Sequence, residues 1–259
     1  MASSAYALIT GASSGIGECF ARALAARGRN LVLVGRSTDK LQKLATYLAS
    51  SCNVRVEPTS LDLSETGAAA RLAATLRDRG LTIDLLINNA GFGARGRFWE
   101  LPLDRQAAMI RLNVQAVVEL THLLLPPMIE ARRGAIINVS STAGFQAVPY
   151  TSVYGATKAF VTSFSEGLAE ELRPYGITVV TLCPGGTRTN FHVASNYGRP
   201  PLPGGMQEPE AVVRAALAAL DRGGGTVVPG LLNKLSLFSQ RLIPRRLVIK
   251  VTARIFFPE

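Results

Sequence analysis

The sequence predicts an α/β fold: a doubly wound parallel sheet of six to seven strands with helices on both faces. Apolar runs rich in Val, Ile and Leu alternate with Ala- and Leu-rich segments of helical length. The runs are near-continuous rather than alternating, as strands covered on both faces require. Strand–helix alternation implies βαβ units with right-handed crossovers. In chain order, strand 5–10 runs straight into a glycine-rich turn, and helix 16–27 follows. Strand 31–34 ends at Gly35-Arg36-Ser37 and leads to helix 39–49. Strand 54–60 precedes helix 66–79. Strand 83–88 ends in Asn88-Asn89-Ala90-Gly91, before helix 106–129. Strand 135–140 ends at Ser140-Ser141, before helix 153–173. Strand 178–183 ends at Pro184-Gly185, helix 209–221 follows, and 226–228 adds a short last strand.

Two regions break this rhythm. Residues 185–208 hold several Gly and Pro and no periodicity, and a loop that long is usually functional; its 186–208 portion is read as a lid over substrate. Beyond Pro229, Lys234, Arg241, Arg245, Arg246, Lys250 and Arg254 face a single acid, Glu259, which puts half of the chain's net charge of +10 in the tail. We read one domain, 1–230, with 231–259 as its basic amphipathic extension, split by Pro244 into two short helices. The tail has two readings: peripheral contact with an anionic membrane, or a flap packed on the pocket with its cations solvated.

A chain of 259 residues, 47% of them hydrophobic, buries roughly 70–75% of its unfolded surface and needs no disulfide or metal for its core. Cys19, Cys52 and Cys183 lie far apart without a CxxC, as expected in a reducing, cytoplasmic compartment. The amino terminus shows no basic leader, and no stretch approaches ~20 uninterrupted apolar residues. A charge of +10 points to anionic partners. No basic–aromatic recognition module lies outside the tail, so nucleic acid is not expected.

Thr10-Gly11-Ala12-Ser13-Ser14-Gly15-Ile16-Gly17 joins the first strand to the first helix. Glycines there permit a tight turn and close approach of a pyrophosphate, and the helix N-terminus supplies donors and a positive dipole end. An NAD-preferring site places a carboxylate at the end of the next strand. Gly35-Arg36 stands there instead, and an arginine fork suits a phosphate, so the expected cofactor is NADP(H). Tyr154 and Lys158 are four apart on a predicted helix and share one face. A lysine cation there is expected to bring the phenol's pKa toward the working range.

Together with Asn88-Asn89-Ala90-Gly91, Asn113, Ser140-Ser141 and Pro184-Gly185, these motifs resemble the short-chain dehydrogenase/reductase family, from about residue 5 to about 190. The resemblance implies a single Rossmann domain and transfer of hydride between nicotinamide and a carbonyl or secondary alcohol. It implies that Tyr154 is the general acid or base, that Lys158 holds the nicotinamide ribose and that Ser141 bonds the substrate oxygen. Asn113 would position a relay water. Gly11, Ser13, Ser14, Gly15, Ile16, Gly17 and Arg36 would hold the phosphates. Asp62 and Leu63 would meet the adenine, and Asn89, Ala90 and Gly91 its ribose. Pro184, Gly185, Thr187 and Thr189 would meet the carboxamide and phosphates. It also implies a homodimer or homotetramer built on helices 106–129 and 153–173.

Phe92, Phe145, Phe191, Val193 and Tyr197 are candidates for an apolar substrate wall, which favours a ketone, lipid-derived or sterol-like carbonyl. Trp99 fills the core or lines the entrance. His122 and His192 share no metal spacing. A non-catalytic NADP(H)-sensing protein on the same fold is the alternative function.

Overall fold

A computed structural model of the chain describes residues 5–191, 195, 205–240 and 242–257. Its strands are β1 (Tyr6–Thr10), β2 (Asn30–Gly35), β3 (Val56–Ser60), β4 (Ile83–Asn88), β5 (Gly134–Val139), β6 (Ile177–Leu182) and β7 (Gly225–Val227). They form one parallel sheet in the order β3-β2-β1-β4-β5-β6-β7. The helices are α1 (Gly15–Ala26), α2 (Thr38–Cys52), α3 (Ala68–Asp78), α4 (Leu103–Ile110), α5 (Ala116–Glu130), α6 (Ser152–Leu172), α7 (Pro209–Asp221), α8 (Leu231–Ser239) and α9 (Arg245–Ile255).

The pleat sends alternate side chains into two cores. Ala7, Ile9, Leu31, Leu33 and Ile87 pack with Phe20, Leu41 and Leu217 from α1, α2 and α7. Leu8, Val32, Leu86, Ile136 and Val179 pack on the opposite face with Leu72, Leu120 and Leu168 from α3, α5 and α6. The doubly wound sheet therefore takes the form the apolar runs predict, with seven strands.

Two expectations need correction. Strand β3 is only partly buried and reads VEPTS; it is an edge strand, where Glu57 reaches solvent and the missing N–H of Pro58 is tolerated. The helix expected over 106–129 begins at Leu103 and is interrupted at Arg111–Gln115 by a π turn. Such a turn inserts one residue into the helical repeat, and its buried member is Asn113. The whole run Leu103–Glu130 is long and apolar enough to cross a membrane. Its Ala116, Leu120, Leu124 and Met128 nevertheless belong to the sheet's core.

A polar chain crosses that core. Asn88 on β4 donates from Nδ2 to Thr121 Oγ1 on α5 (3.2 Å) and to Asn138 Oδ1 on β5 (2.9 Å). Asn138 donates to Ser165 Oγ on α6 (2.9 Å), which donates to Val161 O (2.6 Å). All four side chains are buried, so each bond replaces one that water would otherwise supply. Replacing Asn138 with Ala leaves the Asn88 amide short of an acceptor. The expected loss is about 1–3 kcal/mol, read as a lower urea midpoint with an unchanged slope.

Candidate active site

The strand order reverses between β1 and β4, and the crevice beyond their C-terminal ends is where such sheets bind ligands. Thr10 closes the seam. Its hydroxyl donates to Ile87 O (3.3 Å) and accepts from Asn89 N and Ala90 N, both at 2.9 Å. Asn89 returns the contact, donating from Nδ2 to Thr10 O (2.9 Å) and Gly11 O (3.3 Å). The glycine loop is thereby tied to β4. Gly11 takes a left-handed φ of +66°, which glycine adopts without steric cost. A Cβ on Gly17 would lie 2.3 Å from Gly11 O, so only glycine lets α1 approach the loop.

A cleft of about 420 Å³ opens above the loop. Every catalytic or cofactor-binding residue expected from the sequence lines it except Gly17, which packs beneath the loop, and Asn113. The first turn of α1 carries no side-chain cap, leaving its N–H groups available to an anion, as a pyrophosphate cradle requires. At the far end, Arg36 stands 74% exposed with Nη1 3.8 Å from Asp62 Oδ2. Burial pushes the Asp62 carboxyl up, but hydrogen bonds from the Ser64 hydroxyl and backbone N–H, with the Arg36 charge, hold it below its ordinary value. Lys40, on the first turn of α2, lines the same end. Sequence reasoning passed over it, although it follows Arg36 by four residues. The cradle, the bare helix N-terminus and the two cations fit a nicotinamide dinucleotide.

The chemical end is built on α6. Tyr154 and Lys158 are both buried. Lys158 Nζ donates to Val139 O (2.8 Å) and lies 5.8 Å from the centroid of the Tyr154 ring. Ser141 Oγ accepts from Ala143 N (3.1 Å) and hydrogen-bonds the Tyr154 hydroxyl. Its neighbour Ser140 points inward and donates to Lys158 O (2.7 Å). Burial lowers the Lys158 ammonium to about 8. Burial also raises the Tyr154 phenol to about 12, with the Ser141 hydrogen bond pulling the other way. Burial therefore sets the phenol's direction in the protein alone, opposite to the depression expected from Lys158, and the one opposing pull comes from Ser141.

Asn113 donates from Nδ2 to Phe92 O (2.9 Å) and Thr157 Oγ1 (3.1 Å), and its Oδ1 accepts from Phe92 N (3.2 Å). A Cβ built on Gly91 would fall 3.0 Å from Asn113 Oδ1 and 3.5 Å from Lys158 Nζ. Both groups thus close around Gly91.

The cleft's apolar wall is Phe92, Val148, Phe191 and Phe256, with the Phe191 ring 5.5 Å from that of Tyr154. Phe145 does not line it, because its ring is turned partly outward on a 3₁₀ turn. Trp99, 78% exposed, sits on another 3₁₀ turn and neither fills the core nor lines the cleft. His192, Val193 and Tyr197 lie outside the described residues. The base of the 186–208 segment is pinned: Gln207 N donates to Gly186 O and Arg188 N to Gln207 O, both at 2.8 Å. Ser195 is buried and accepts from Gly93 N (3.0 Å). Phe256 enters the cleft from the end of α9. No periodicity in the tail announced it, because only the fold-back of α9 brings it there.

An open parallel sheet, a glycine cradle at its switch point and a buried Tyr–Lys pair with a serine define a dinucleotide-dependent oxidoreductase. The short chain dehydrogenase family model matches residues 5–199, and the chain belongs to that family. It is 33% identical over 220 residues to a very-long-chain 3-oxoacyl-CoA reductase of Bos taurus, covering 83% of this chain and 68% of that one. A short-chain dehydrogenase from Sphingobium yanoikuyae in complex with NADPH superposes with a TM-score of 0.82 at 37% identity, over 92% of this chain and 94% of that one. A bulky-bulky ketone specific alcohol dehydrogenase from Comamonas testosteroni superposes with a TM-score of 0.78 at 34% identity, over 92% and 93%.

Between pH 8 and 10.5 the unfolded chain keeps a lysine proton that native Lys158 has released, so this group makes stability rise with pH across that window. Lys158→Met removes the dependence. The wild-type melting temperature, relative to that of the variant, should therefore climb as pH rises from 8 to 10.5, as thermal scans at a series of pH values would show.

Proposed function

We propose that the protein is an NADP(H)-dependent reductase of an apolar, lipid-like ketone, and that it also catalyses the reverse oxidation of the secondary alcohol. The observation that carries this reading is the convergence of the Tyr154 and Ser141 hydroxyls beside buried Lys158, between the glycine cradle and the aromatic wall. A nicotinamide cofactor held by the cradle would give hydride to the carbonyl carbon in reduction and take it from the alcohol carbon in oxidation. Tyr154 Oη transfers its proton to the carbonyl oxygen, and Ser141 holds that oxygen by a hydrogen bond. At neutral pH Lys158 is a cation and Tyr154 a neutral phenol, the protonation states that reduction needs. As the phenol gives up its proton, the cation stabilises the phenolate. Asn113, held by Phe92 and Thr157, would position a water that returns a proton through Lys158.

Arg36 and Lys40 support NADP(H) over NAD(H), as does the NADPH complex of the Sphingobium enzyme. Phe92, Phe191 and Phe256 support an apolar substrate, in keeping with the names of the Bos taurus and Comamonas proteins. A dinucleotide sensor would gain nothing from a lysine buried at a desolvation cost. The same reading takes the chain to self-associate through α5 and α6, whose outer faces carry part-exposed Leu123 and Phe160.

Two measurements test this. Tyr154→Phe should lower kcat for carbonyl reduction by roughly 10²–10⁴-fold, while fluorescence titration shows NADPH bound as in the wild type. Arg36→Leu should weaken NADPH binding by roughly 10- to 150-fold and leave NADH binding unchanged. Equal losses for both nucleotides would remove Arg36 as the selector.

A further inference from the structure

The last two helices wear apolar residues outward. On α8, Leu231, Leu235 and Phe238 recur at i, i+4 and i+7, and each is more than half exposed. The side turned to the protein carries Asn233, which donates to Pro229 O (2.8 Å) and Gln207 Oε1 (3.2 Å). On α9, Leu247 and Val251 are exposed one turn apart, while Thr252 is buried behind them. Leu242, in the segment that joins the two helices, is 75% exposed. Isolated exposed apolar residues are ordinary, but a concentration of them on consecutive helices marks an interaction surface.

The charges around this surface select its occupant. Lys234, Arg245, Arg246, Lys250 and Arg254 are exposed, and among the described residues none of them takes part in a salt bridge. No Asp or Glu lies between Asp221 and Glu259. A second copy would set these cations against their own symmetry mates, a like-charge contact. An anionic bilayer supplies both complements at once: acyl chains for Leu and Phe, and mobile phosphates that need no fixed spacing. We propose that α8 and α9 dock on an anionic lipid bilayer, lying in its interface.

The docking face is linked to the cleft. Phe256, at the end of α9, lines the cavity. Arg95 donates from Nε to Phe256 O (3.0 Å) and from Nη2 to Phe257 O (2.5 Å), and the Phe257 ring meets that of Tyr150 edge-on at 5.2 Å. The docked helix therefore ends in the cleft wall. Docking does not depend on the catalytic reading, and its test reads vesicle binding rather than turnover.

The experiment is flotation of the full-length protein with phosphatidylglycerol–phosphatidylcholine vesicles and with phosphatidylcholine vesicles. It compares wild type, a Leu231→Ser/Leu235→Ser/Phe238→Ser variant and a Lys250→Glu/Arg254→Glu variant. Every substituted side chain is exposed, and circular dichroism checks that each variant is folded. Wild type should float with the anionic vesicles, less so in high salt, and each variant's recovery should fall roughly tenfold. No flotation of wild type, or equal recovery of the folded variants, overturns the proposal. So does a wild-type assembly in sedimentation that the serine variant alone dissociates, which would make a second copy the occupant.

Discussion

Thr10 ends the central strand where the chain's winding direction reverses, with its hydroxyl enclosed. The two N–H groups that begin the segment after β4 find that hydroxyl as their acceptor. Asn89 reciprocates on the carbonyls of Thr10 and Gly11. Without this exchange the backbone at the switch point would hold unpaired polar groups, a cost the fold avoids. Because the exchange is met, the glycine loop has one position relative to β4. The cradle and the floor of the cleft inherit that position.

The chemical end is held against a different cost. Desolvation disfavours the charged forms of both Lys158 and Tyr154 and moves their pKa values in opposite directions. The helix that carries both is anchored at Lys158, whose ammonium donates to the Val139 carbonyl and whose own carbonyl accepts from Ser140. The π turn plays the same part for Asn113, tying α6 through Thr157 and the loop after β4 through Phe92. Three segments distant in sequence thus meet around Gly91, whose missing side chain leaves room for them.

Much of the candidate site was legible before the fold was known, because its residues follow strand ends. A strand end fixes where a side chain emerges, and in a parallel sheet those ends lie on one edge. Gly11 to Ile16, Arg36, Asp62, Asn89 to Gly91, Ser141 and Pro184 to Thr189 were readable for that reason. Tyr154 and Lys158 were readable from helical spacing. Residues whose role depends on a neighbour's position were not. Lys40 carries no sequence signal beyond its charge, and Phe256 none beyond its place in the basic tail. The depressed phenol was an expectation of proximity alone, and burial reversed it.

By itself the sequence determined the α/β class, the strand-end motifs and the concentration of cations in the tail. Periodicity, glycine placement and charge are local properties, and a linear chain displays them. Tertiary structure decided which of those features meet. It made β3 an edge strand and opened the helix at Asn113. It also brought Phe256 into the cleft and left the leucines of α8 facing out. Each of these outcomes depends on burial and pairing between residues far apart in the chain, which no single stretch of it contains.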